Sequence, residues 1–324
     1  MVRPSMRITR PGLVVPVGID RAGDGRGPSK AEAAGRDWRR TSRGLYVPSH
    51  VDPSLPEQRI VEAAAVLPGR GGVTGWASLR WQGALWFDGA APDGVELLPV
   101  DLVTGYADIR NQPGIVVSQE RLNPREVVVV DGLPVTSAVR ALSFVMRYAR
   151  SVREAVVWMD MTAHFDLVSI EEAWCYVEEH PGWTGVPQMR EALALADENC
   201  WSPWESRTRL VWRLDAGLPS PLCNRPIFDR SGRHVGTPDL LDPWAGVVVE
   251  YDGAPHLVGE QRKIDVLREE AYRRVGLEYL TVLSEHLRDR HGTAARMRDV
   301  RRRARWSPAA GRAWTLEPPP WWVM

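Results

Sequence analysis

Lysine is nearly absent from this chain: Lys30 and Lys263 are the only two, although 41 residues are lysine or arginine. A coding bias explains the preponderance of arginine most simply, and it makes the place of Lys263 worth noting. Net charge is lacking too, with 41 cationic residues against 41 acidic ones, so attraction to nucleic acid must rest on local patches. The three cysteines, Cys175, Cys200 and Cys223, are odd in number, widely spaced and without a CxxC pair, so neither a disulfide framework nor a zinc ribbon is indicated, and a reducing cytoplasm fits. No apolar run approaches the roughly 18–20 residues of a spanning helix, so no membrane partner is expected. Pro11 and Pro16 interrupt the short apolar stretch near the start, and no signal peptide is expected.

What remains is an ordinary globular composition, 44% hydrophobic and 25% charged, over 324 residues. That length suits two or three packed units. Residues 18–35 are rich in glycine and charge and read as a loop or arm. Arg43-Gly44 then separates two stretches suited to a hairpin, Trp38 to Val47. Helical spacing covers Pro56–Leu67 and Thr74–Trp86, with Thr74 as N-cap. Strands are expected at Val95–Thr104, Gly114–Gln119 and Glu126–Val130. Four helices follow, at Thr136–Ala149, Ser151–His164, Ser169–Glu179 and Pro187–Ala196, the third opened by a Ser169/Glu172 capping box.

A polar break at residues 196–203 marks a boundary. Ser202-Pro203-Trp204-Glu205 supplies an N-cap, a proline at the first helical position and a glutamate three residues after the cap; the helix should stop at Gly217. Strands are expected at Asn224–Phe228, His234–Leu241 and Gly246–Asp252, then a helix from Glu260 to Val275 and a strand from Leu277 to Leu283. Strand, helix and strand in that order imply a right-handed crossover between parallel strands. A basic helix should run from Ser284 to about Arg305, followed by an extended tail.

Residues 236–256, GTPDLLDPWAGVVVEYDGAPH, carry the strongest chemical signal. Alternation along Val247–Asp252 sets Glu250 and Asp252 on one face, and folding about Trp244-Ala245 brings Asp239 opposite Glu250. Clustered carboxylates repel unless protonated or neutralised, and a hard divalent cation, magnesium or manganese, is a common solution. Such an ion polarises a phosphate oxygen and acidifies a bound water, which phosphodiester hydrolysis requires. The plainer reading is a strand emerging into a turn, since Asp252-Gly253 is a turn dipeptide. Two acids flanking a sugar would suit glycoside hydrolysis, but a hairpin cluster fits that poorly.

Pro238-Asp239, ten intervening residues, then Glu250-Tyr251-Asp252-Gly253 and His256 resemble the PD-(D/E)XK nuclease superfamily, and within it the very-short-patch-repair endonuclease-like group. The resemblance covers roughly residues 200–300. It implies an α/β restriction-endonuclease-like domain with a mixed sheet, acting on DNA. Asp239 and Glu250 would be metal ligands, Glu205 would join them from the preceding helix, and His256 would position water or phosphate. Where the superfamily pattern has a lysine this chain has Asp252, and Lys263 is the nearest replacement cation; a solvated helix face is the alternative for Lys263.

The hairpin Trp38–Val47 resembles the wing of AbiEi-type antitoxins, and Thr136–Leu142 resembles the region that follows it there. That likeness implies DNA near Arg39, Arg40 and Arg43 and leaves a partner toxin unidentified. Ser284–Arg305 holds eight arginines against three acids, with Arg298, Arg301 and Arg302 suited to phosphates. The expected organisation is an α+β antitoxin-like region at 1–197 with a degenerate winged-helix start, an endonuclease-like domain at 198–305 and an extended tail at 306–324. The expected activity is metal-dependent DNA cleavage or nicking in the cytoplasm, the alternative being a non-catalytic DNA-binding regulator or antitoxin that keeps the nuclease fold.

Overall fold

The computed structural model describes residues 6–91, 96–105, 109–253, 260–305 and 307–322, with residues 260–265 described as backbone only. The chain is mixed α+β and divides into two compact units, residues 1–158 with 165–193, and residues 159–164 with 194–324. Among the described residues no helix is long and apolar enough to cross a membrane.

In the first unit, strands β1 (Trp38–Ser42) and β2 (Leu45–Pro48) form the expected hairpin, and Gly44 supplies the positive φ of its turn. Helix α1 (Pro56–Ala64) follows, then β3 (Gly72–Thr74), α2 (Gly75–Trp81), β4 (Val100–Val103), β5 (Ile115–Ser118), β6 (Val127–Val130) and β7 (Leu133–Thr136). The sheet order is β5-β4-β3-β7-β6, with β4/β5 and β3/β7 parallel and the other pairs antiparallel. Two of these strands escaped the sequence reading. β3 is only three residues long, too short for an alternation signal, and β7 carries Pro134, which masks strand character. Thr74 is the N-cap residue of α2 as expected, but its side chain makes no capping bond; the hydroxyl instead accepts from the Thr136 hydroxyl at 3.0 Å across the β3/β7 pair.

Helices α3 (Ala138–Tyr148), α4 (Val152–His164), α5 (Ile170–Glu179) and α6 (Val186–Leu193) complete this half of the sequence, residues 159–164 of α4 belonging to the second unit. The Ser169/Glu172 capping box forms as expected.

The second unit opens with α7 (Pro203–Leu210), whose last turn widens into a π-type turn over Val211–Asp215. Strands β8 (Leu222–Cys223), β9 (Ile227–Asp229), β10 (His234–Gly236), β11 (Leu240–Asp242) and β12 (Val247–Asp252) come next, then α8 (Glu260–Arg274), β13 (Glu278–Leu283), α9 (Ser284–Arg288), α10 (Arg290–Arg303) and β14 (Trp314–Thr315). One sheet has the order β13-β12-β11-β8, with β12 and β13 parallel and the rest antiparallel. The other is β10-β9-β14.

The single strand expected over His234–Leu241 is thus two, in different sheets. Pro238 has no N–H to donate and lies between them. The single basic helix is likewise divided at Asp289, whose side chain accepts the Gly292 N–H at 3.0 Å and caps α10. The tail is not simply extended: β14 pairs with β9. Ile227, Leu241, Val248, Tyr272, Leu277 and Trp314 form a core between α8 and these strands.

Candidate functional site

The β11–β12 hairpin is fixed by its own turn. The Asp242 side chain accepts from the Trp244 N–H at 2.9 Å and the Ala245 N–H at 3.1 Å, and Gly246 takes the positive φ that closes the loop. The register is Leu240↔Val249, Leu241↔Val248 and Asp242↔Val247, and one further step sets Asp239 across from Glu250. Asp242 is buried and also paired with Arg301 at 2.8 Å, so this arginine of α10 braces the turn.

Asp239 Oδ2 accepts the Tyr251 N–H at 2.6 Å. Glu250 is buried, and its Oε2 accepts from the Tyr279 hydroxyl at 3.0 Å and from Arg268 Nη1 at 3.3 Å. Its other oxygen, Oε1, is buried, and so is the Tyr272 hydroxyl. Burial pushes the Tyr272 phenol up, and the Glu250 carboxylate adds to this by its charge and by a side-chain hydrogen bond, so Tyr272 is a further neighbour of Glu250.

At Glu205 the expected capping box forms only in part. Ser202 Oγ does accept the Glu205 N–H at 3.2 Å, but the Glu205 carboxylate does not return to the Ser202 N–H. Its Oε2 accepts from the Trp201 N–H at 2.8 Å and from Asn224 Nδ2 at 2.7 Å. Asn224 follows β8 and its own N–H reaches the Asp239 carbonyl at 3.2 Å, so the helix start is tied to the acid-bearing hairpin. The capping box is therefore half made, and the carboxylate it frees lies within electrostatic reach of Asp239.

The Asp239 carboxyl is pushed up to about 7. Burial is the largest cause and Glu205 the next; the Tyr251 N–H pulls it down, Glu250 pushes it up again, and Arg268 pulls it down. Burial and nearby acid charge together thus exceed the compensation Asp239 receives. Even so, among the described residues no group of three or more His, Cys, Asp or Glu side chains is placed to hold a metal ion. A magnesium ion needs fewer, since it commonly keeps several waters and takes one or two carboxylates. Asp239 and Glu250, across one hairpin from each other, fit that smaller demand.

Asp252 ends β12 half-buried and helps to raise the Tyr251 phenol, after burial. His256 lies outside the described residues, and so does the Lys263 side chain, although its backbone belongs to α8. In the hairpin, Arg39 is taken up by Glu62 through two bonds of 2.7 and 3.0 Å, while Arg40 and Arg43 are exposed. On α10, Arg298 donates to the Asp215 carbonyl at 3.1 Å and Arg302 pairs with Asp299. A cavity of about 420 Å³ is lined by Leu218, Ala295, Asp299 and the three arginines Arg298, Arg301 and Arg302.

Sequence reasoning missed Arg268, Tyr272, Tyr279 and Asn224. Arg268 and Tyr272 are four apart on α8, a spacing that places them on one face. Tyr279 pairs with Val248, two residues before Glu250 on the same face. No family model matches the chain, and neither the curated proteins nor the solved structures contain a match.

Proposed function

We propose that the second unit is a restriction-endonuclease-like domain that hydrolyses DNA phosphodiesters with magnesium or manganese. The observation that carries this reading is the Asp239/Glu250 pair across one hairpin, with Asp239 pushed up to about 7. Asp239 and Glu250 would hold the ion. Bound there, it would polarise a phosphate oxygen and lower the pKa of a water.

The chain's own residues keep that pair in place. The Tyr251 N–H orients Asp239, and Tyr279 with Arg268 orients Glu250. Glu205 adds negative charge without being free to swing, because Trp201 and Asn224 hold it. In the antitoxin-like reading of the first unit, the exposed Arg40 and Arg43 would meet the DNA backbone.

One observation favours the non-catalytic alternative: Arg268 already stands against Glu250, a built-in partner for the charge an ion would neutralise. The two readings separate in a nicking assay on supercoiled plasmid with magnesium or with a chelator. Asp239→Asn keeps an acceptor for the Tyr251 N–H, and Glu250→Gln keeps one for Tyr279. Each should lower a metal-dependent rate about 100-fold or more. Wild-type protein that neither nicks DNA nor takes up manganese by calorimetry would support the regulator reading, and full activity in both variants would sink the assignment of these acids.

A further inference from the structure

Cys200 and Cys223 are both buried, and their sulfurs lie 3.6 Å apart. Cys200 sits just before α7 and Cys223 ends β8, hydrogen-bonded in sheet register to Leu240 of β11. Arg209 of α7 donates its Nε–H to Cys200 Sγ at 3.3 Å, while its Nη2 bonds Asp160 Oδ2 at 2.6 Å. The Cys223 thiol is pushed up by its contact with Cys200 and then by burial. The two sulfurs are thus in contact, with the Arg209 guanidinium against Cys200.

We propose that Cys200 and Cys223 form a peroxide-responsive dithiol that closes to an intramolecular disulfide. The Cys200 sulfur attacks one oxygen of hydrogen peroxide, breaking the O–O bond; the hydroxide that leaves takes the Cys200 proton and departs as water, and Cys200 becomes a sulfenic acid. Cys223 sulfur then attacks the Cys200 sulfur, the S–S bond forms, and the sulfenic hydroxyl leaves with the Cys223 proton as a second water. Two thiols and one peroxide give one disulfide and two waters. The oxidant is small, and Cys200 is flanked in sequence by Asn199 and Trp201, both exposed.

Closure has a structural consequence. A disulfide brings its sulfurs to about 2.05 Å, so these must approach by roughly 1.5 Å. The two segments are already joined by Asn224, whose Nδ2 donates to both the Asn199 carbonyl and Glu205 Oε2 at 2.7 Å. The bond would tighten the connection that holds Glu205 near Asp239. Disulfide formation itself does not depend on the nuclease reading, and it is measured without any activity assay.

The whole protein is treated with dilute hydrogen peroxide, quenched, denatured and alkylated, and its peptides are weighed with and without dithiothreitol. The expected result is a fall from three alkylatable thiols to one, Cys175, with a monomeric Cys200–Cys223 crosslink that dithiothreitol reverses. Cys223→Ser should lose the crosslink and leave Cys200 to oxidise further. Should that variant fail to fold, Cys175→Ser retains only the buried pair and must show loss of both thiols and the same crosslink. The proposal is overturned if both cysteines stay alkylatable while exposed Cys175 is oxidised, if they oxidise singly without a crosslink, or if the only disulfide joins two molecules.

Discussion

Glu120 in the first unit and Asp239 in the second are both shielded from water, and their surroundings push them in opposite directions. Burial opposes ionisation of Glu120, yet Arg147, Tyr148 and Arg140 outweigh it and hold the carboxyl down at about 2. Four hydrogen bonds of 2.6 to 2.8 Å saturate its two oxygens. Both guanidiniums also lie over the Trp183 ring, at 5.0 and 4.8 Å. Around Asp239 the balance is reversed, with two neighbouring carboxylates against one half-exposed arginine. An acid surrounded by cations is a structural tie. An acid left short of them is a place where a cation can be gained.

The comparison breaks first at Glu120. Removing it strands two buried guanidiniums, and breaking a buried pair in this way typically costs about 3–5 kcal/mol. Glu120→Ala should therefore lower the stability of the first unit by that order in urea unfolding, and a loss below about 1 kcal/mol would show that the network is dispensable. The pH dependence has a definite sign. Because the folded carboxyl is depressed from 4.5, its contribution is fully present above that value and fades as pH falls through about 2.

Asp239 runs the other way. Its folded carboxyl is raised from 3.8 to about 7, so the stability linked to its proton is present below 3.8 and is lost as pH rises through about 7. A divalent ion must displace that same proton. Manganese affinity, measured by calorimetry, should therefore rise about tenfold between pH 6 and pH 8 with release of a proton. Asp239→Asn should abolish that pH dependence; if it persists unchanged, another group carries it.

The difference between the two sites was only half legible in the sequence. The Asp239/Glu250 pair could be read because Asp242 to Gly246 is a turn with its own chemistry, and a turn fixes register over neighbouring residues. The β12–α8–β13 crossover was legible for a similar reason, each element carrying its own periodicity. The groups that decide the electrostatics were not. Tyr279 and Arg268 reach Glu250 from 29 and 18 residues away, and Arg147 reaches Glu120 across 27. Such meetings depend on how elements pack, which no local pattern encodes. The break of His234–Leu241 into two sheets was hidden likewise, because Pro238 signals an interruption without saying which partner each half will find.

The finest test of the contrast is Arg268, the cation that keeps the second site from being more acidic still. Its guanidinium is 44% exposed and stands 3.3 Å from Glu250, so solvent screens much of its attraction. Such a pair is worth about 0.2–1 kcal/mol, and Arg268→Gln should accordingly change stability little. The same substitution removes a cationic influence that pulls Asp239 down, and it releases Glu250 Oε2 from a competitor for any incoming ion. Manganese affinity at pH 8 should then rise by about threefold, the equivalent of roughly 0.65 kcal/mol. A fall in affinity would mean that Arg268 orients Glu250 more than it opposes the metal, and the second site would then resemble the first, a carboxylate built around its arginine.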